Sequence, residues 1–152
     1  ERRIVGWGLL AMGVQALRPS EIAVRWKLDA SARKTVTETL DLQDRLRSLS
    51  LDDLNPSGRV AMLEKFSEYA AIAVMLSASE NSTKAALADY LTTLNAMTPL
   101  LDGRDILALG VPQGPQVGEV LQMLKDARLD HEVSSRNEET LLVKRYVSLL
   151  DQ

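Results

Sequence analysis

The chain has 152 residues, 45% hydrophobic and 26% charged. That is the balance of one ordinary soluble domain, or of two small helical ones, and not of a disordered segment. A net charge of −3 and a pI near 5.2 exclude a surface that is basic throughout, and with it indiscriminate nucleic-acid binding. With no cysteine and one histidine, His131, the chain can form no disulfide, thiolate nucleophile, cysteine-ligated zinc site or multi-histidine metal site.

Aromatic residues make up only 4%, so the core must come from Leu, Val, Ile, Ala and Met, a mixture that favours helices packed on helices. The first element, Arg2 to Leu17, is apolar on all sides (Ile4, Val5, Trp7, Leu9, Leu10, Met12, Val14), and such a helix is surrounded by protein. It is too short to span a membrane, which takes about 20 apolar residues. With no initiator Met and no signal-peptide pattern, it reads as a buried helix whose upstream cover lies elsewhere, leaving residues 4–17 as a possible homodimer surface.

Pro19 and Ser20 open a short helix through Trp26. Asp29 or Ser31 caps a longer one to about Leu49, with Val36, Leu40, Leu46 and Leu49 inward and Arg33, Lys34, Arg45 and Arg47 outward. Asp52-Asp53 reads as a solvated helix-entry cap before the turn Asn55-Pro56-Ser57-Gly58. Helices are expected over 59–66 and 68–77, and from Ser82 up to Thr98, where Pro99 stops the last one. No segment alternates with the period of a strand.

From Pro99 the residues become more specific. Asp102 caps a short helix that Gly110 ends, since glycine takes the left-handed position after a helix at little cost. Gly114 stands at the next N-cap with Pro115 at the first helical position. The helix that follows aligns Val117, Val120, Leu121, Leu124 and Ala127 on one stripe. Gly118 lies in its first turn, where glycine costs about 1 kcal/mol relative to alanine. Two explanations serve: a close helix–helix contact, or a phosphate cradle of exposed N–H groups favoured by the helix dipole. Ser135 and Glu138 form a capping box for a last helix carrying Leu141, Leu142, Tyr146, Val147 and Leu150.

The run from Leu101 to Glu139 resembles the C-terminal end of the bacterial tRNA nucleotidyltransferase and poly(A) polymerase family. That family shows L-x-G-x-D-L, then G-x-x-P-G-P-x-V-G, then A-x-L-D-G-E, then T-R-E-E. This chain keeps Gly103 and Asp105; Gly110, Gly114, Pro115, Val117 and Gly118; Ala127, Leu129, Asp130 and Glu132; and Arg136, Glu138 and Glu139. It departs at Gln113 (proline in the family), Ser135 (threonine) and His131 (glycine). The last change makes a left-handed turn there harder.

The resemblance implies an all-α fold: a multi-helix body over 1–98 followed by a three-helix tail over 99–152, with no sheet. It implies a protein whose body and tail bind the acceptor and TΨC arms of tRNA; the absence of cysteine fits a cytoplasmic one. An N-terminal head and neck, absent here, would supply the metal-holding aspartates and the choice among CCA, CC, A and poly(A) addition, using magnesium and ATP or CTP. Neither the paired aspartates nor a glycine-rich phosphate loop after a strand occurs in this chain, so it carries no catalytic or metal-ligating residue of that kind and is expected to be inactive in nucleotidyl transfer. His131 is a turn residue. The candidate RNA contacts are Arg104, Gly114, Gly118, Lys125, Arg128 and Arg136, with Arg33, Lys34, Lys144 and Arg145 as further basic positions; for each arginine or lysine a solvated helix face is the alternative. Two other functions fit a helical chain: a scaffold or dimerisation module without RNA contacts, and a DNA-binding helix-hairpin-helix, which the acidic charge disfavours.

Overall fold

A computed structural model describes residues 2–13 and 26–150. The described residues are all-α, with eight α-helices and no strand. They divide into two compact units, Glu1–Asn95 and Ala96–Gln152. None of the helices described is long and apolar enough to cross a membrane.

The first unit holds α1 (Arg2–Gly13), α2 (Ala30–Ser48), α3 (Pro56–Leu63), α4 (Glu68–Ser77) and α5 (Asn81–Thr92), with a one-turn 3-10 segment at Leu51–Asp53; a second such segment, Leu94–Ala96, falls at the boundary of the two units. Helices α1, α2 and α4 pack on one another in a trio. Small residues make this possible. A Cβ placed on Gly8 would lie 2.8 Å from Thr39 Oγ1 and 2.9 Å from the Ala73 Cβ, so α1 approaches both partners at a glycine. Ala32, Thr35, Val36, Thr39 and Leu42 are the buried positions of α2, and Ala70, Ala71, Ala73 and Val74 those of α4. Thr39 satisfies its buried hydroxyl on the Thr35 carbonyl at 2.7 Å. Trp7 and Trp26 pack at 5.9 Å between ring centroids against Ala11, Leu28, Ala32 and Val36.

Several expectations change at this level. The short helix from Pro19 and residues 14–17 of the first helix lie outside the described residues. Leu49, the residue that ends α2, is exposed and Leu40 and Leu46 are half-buried, so the inner face runs through Ala32, Thr35, Val36, Thr39 and Leu42 instead. Helix α3 begins at Pro56 and not at 59: Asn55 accepts from the Gly58 N–H at 3.2 Å and Pro56 takes the first helical position, so the expected turn is the first turn of the helix. Asp52 and Asp53 sit inside the 3-10 segment that Ser50 caps, and do not cap α3. Helix α5 stops at Thr92, short of Thr98. Thr92 bonds back to the Ala88 carbonyl at 2.8 Å and Thr93 leaves helical geometry, after which a 3-10 segment carries the chain to Ala96.

The second unit holds α6 (Gly103–Ala108), α7 (Pro115–Leu129) and α8 (Arg136–Leu150). Leu101, Ile106, Val111, Val120, Leu124 and Val143 form its core, with Leu109, Val117, Leu121, Leu142, Tyr146 and Val147 packed around it. The inward stripe of α8 is led by Val143 and by a charged residue, Glu139, and Leu141 points to solvent.

Candidate nucleic-acid interface

The second unit is organised around the starts of α6 and α8. The Asp102 carboxylate accepts from the Arg104 and Asp105 N–H groups at 2.8 and 3.0 Å, and Asp105 Oδ2 accepts from the Asp102 N–H at 2.9 Å, a complete capping box. These bonds, from Asp105 first and then Arg104, hold the Asp102 carboxyl below the usual carboxylate range. The other oxygen of Asp105 accepts from Arg136 Nη2 at 2.6 Å, and Arg136 Nη1 donates to the Leu100 carbonyl at 2.9 Å. Asp105 therefore ties the start of α6 to the start of α8.

Glu139 completes the junction from inside. It is 0% exposed. Its carboxylate accepts from the Leu100 N–H, from the Leu101 N–H at 2.8 Å and from Arg128 Nη1 at 3.3 Å. A buried carboxylate is tolerated only when it is paired and hydrogen-bonded, and this one has both kinds of partner. Ser135 and Glu138 cap α8 reciprocally: the Glu138 N–H donates to Ser135 Oγ, and Glu138 Oε2 accepts from the Ser134 and Ser135 N–H groups. The Ser134 N–H and hydroxyl lead the contacts that hold the Glu138 carboxyl below its ordinary range.

The stops of α6 and α7 share one pattern. After α6, Gly110 at φ +99° lets its N–H reach the Leu107 carbonyl and the Val111 N–H reach Ile106. After α7, His131 does the same at φ +60°: its N–H reaches Arg128 and the Glu132 N–H reaches Ala127 at 2.8 Å. The left-handed turn expected to change at His131 is thus kept, with a side chain where glycine would be less strained.

The start of α7 is different. No side chain caps it; Gly114 is the N-cap at φ +146°, ψ −156°, a region essentially reserved for glycine, and Pro115 follows. A Cβ on Gly114 or on Gly118 would meet nothing within 4 Å. The close helix contact that could have explained Gly118 is therefore absent. A Cβ on Gly103 would meet Val117 Cγ1 at an ordinary 3.6 Å, so the first turn of α6, with exposed Arg104, lies beside the first turn of α7.

The structure closes Arg136 on Asp105, leaves Arg104 exposed on the same first turn of α6, and sets Gly114 and Gly118 on the neighbouring open start of α7. Lys125, half-buried, is two turns along α7 from Gly118. Arg128 does not join them: it turns inward to Glu139, its guanidinium largely buried and its Nε without a partner. Arg33 and Lys34 belong to α2 in the other unit, where Lys34 pairs with Glu38 at 3.7 Å, and Lys144 and Arg145 stand exposed on α8. Sequence reasoning missed Glu139 as the centre of the junction. Its place one turn before Val143, on the stripe that continues to Tyr146 and Val147, was the available signal. Chemically the surface offers hydrogen-bond donors and cations for an anion. Among the described residues no cluster of His, Asp and Glu could hold a metal ion.

Comparison with known proteins matches residues 1–144 to the family described as tRNA nucleotidyltransferase domain 2, putative. The A-adding tRNA nucleotidyltransferase of Deinococcus radiodurans is 33% identical over 121 residues, which is 78% of this chain and 25% of that relative, so the chain spans about a quarter of the length of the relative it matches. No solved structure matches. With nearly the whole chain covered by that family, the protein is a member of the tRNA nucleotidyltransferase domain 2 family.

Proposed function

We propose that the chain is the RNA-binding body and tail of a tRNA nucleotidyltransferase, holding the acceptor and T arms of tRNA while a catalytic head and neck beyond this chain, with magnesium and ATP or CTP, extend the 3′ end. The observation that carries this reading is the open start of α7. Gly114 and Gly118 leave open space over the first turn of α7, at the positive end of its helix dipole, packing gives no reason for Gly118, and Arg104 stands exposed on the adjacent turn. Arg136 and Lys125 extend the contact, and Arg128 supports it through Glu139. Double-stranded RNA is gripped by shape and backbone, so a few such donors suffice in an acidic chain.

Binding of tRNA to the purified chain, followed by fluorescence anisotropy, tests the reading. Affinity should fall with salt along a shallow slope, in proportion to the few phosphates contacted. Gly118→Val should weaken binding with helicity and melting temperature nearly unchanged, since its side chain enters open space. Wild-type affinity in that variant would end the phosphate role of the α7 start. The chain alone should incorporate no labelled ATP or CTP into tRNA; incorporation would overturn the division between head and tail.

A second reading, a scaffold or dimerisation surface, is favoured by the outer side of the first unit. Val5, Gly6, Leu9, Tyr69, Ile72 and Leu76 line an apolar groove of about 530 Å³ between α1 and α4, and Leu10 and Leu76 are 56% and 58% exposed. Leu10→Asp with Leu76→Asp should abolish any self-association through residues 4–17, as read by light scattering.

A further inference from the structure

The seam between α7 and α8 carries two rows of opposite character. Along α7 run Glu119 and Asp126, continued past its end by Asp130 and Glu132, and they rim a hollow of about 570 Å³ also lined by Met123 and Leu142. No lysine or arginine lines that hollow. Along the outer face of α8 run Leu141, Lys144, Arg145, Ser148 and Leu149, a spacing that keeps all five on one side of the helix, and all five are exposed. Leu141 is 56% and Leu149 69% exposed. Leu142 and Glu132 also line the neighbouring hollow that Arg145 borders, so the two rows meet in one continuous surface.

We propose that this surface is a two-fold interface between copies of the chain. A two-fold axis running along the seam sets the carboxylate row of one copy against the cation and leucine row of the other, and repeats the same contact in the opposite sense. That self-complementarity is what an isologous dimer requires. The leucines enter the Met123–Leu142 hollow, and Lys144 and Arg145 meet the carboxylates that rim it. RNA fits this face less well. Exposed leucines contribute nothing to a phosphate backbone, and the carboxylate row beside the two cations repels it.

Sedimentation of the chain across a concentration series reads the outcome. The wild type should self-associate reversibly. Leu149→Asp and Arg145→Glu should each raise the dimer dissociation constant by roughly tenfold or more, with helicity unchanged because both residues are exposed. Mixing Arg145→Glu with a second variant, Glu132→Lys, should recover a heterodimer that neither forms well alone, the signature of facing charges. Three results overturn the proposal: a wild type that stays monomeric throughout, a dimer that both α8 variants leave intact but that Leu10→Asp with Leu76→Asp dissolves, or a monomer in which Arg145→Glu lowers tRNA affinity. The last would assign the α8 cations to RNA.

Discussion

The two units hold themselves together by opposite means. In the first, three helices come together through glycine, alanine and threonine, and the decisive contact is the absence of a side chain at Gly8. In the second, a small apolar core is closed by a polar junction in which one buried carboxylate binds two backbone N–H groups nearly forty residues away in the chain and an arginine 11 residues away. Dispersion between close helices tolerates neighbours of similar volume. A buried ionic network tolerates almost no change, because every lost partner strands another polar group. Asp105, Arg136 and Glu139 meet at Leu100 and Leu101 in one junction, beside the Ser135–Glu138 cap, and together they are the frame that holds the helix starts in place.

The difference should show most clearly at Glu139. Glu139→Ala should destabilise the second unit by about 3–5 kcal/mol, since it strands Arg128 and the N–H groups of Leu100 and Leu101. Urea unfolding, with hydrogen exchange at those two amides, checks it; unchanged exchange there would refute the network. Gly8→Val comes next, at about 1–3 kcal/mol, because its side chain would press on Thr39 and Ala73. Hydrogen exchange should then rise in α1, α2 and α4.

Acid separates the units further. The carboxyls of Asp102 and Glu138 hold protons more weakly in the folded state than in the unfolded one. Their contribution is therefore complete above the unfolded carboxyl range and disappears as pH falls through the lowered folded values, below about pH 4. The amides of the α6 and α8 first turns should lose protection over that window, and Asp102→Asn should flatten part of the response. The smallest effect is Gly118→Ala, expected to raise stability by up to about 1 kcal/mol, because helix propensity improves and nothing stands in the way. A loss of stability there would restore the packing explanation.

Much of this is legible in the amino-acid sequence. The signals of caps and stops act within one turn of backbone, and they place Asp102, Gly110, Gly114 with Pro115, and Ser135 with Glu138 correctly, while for α2 they offer Asp29 and Ser31 and the structure takes Asp29. Boundaries slip where one residue type has two local uses: Asn55-Pro56 is both a turn and a helix start, and a threonine pair both continues and ends a helix. The candidate site is legible as a set of residue types and less so as a surface. Arg128 and Arg136 look alike on a helical wheel, yet one is drawn inward by Glu139 and the other lies out against Asp105.

Helical class, helix order and the chemistry of many helix ends belong to the sequence by itself, because period, propensity and capping are set by neighbours a few residues apart. Which glycine makes a close approach, which glutamate is buried and which arginine stays available were decided only in the tertiary structure. Those outcomes depend on groups brought together from distant parts of the chain, where desolvation and pairing are settled by three-dimensional company and not by spacing.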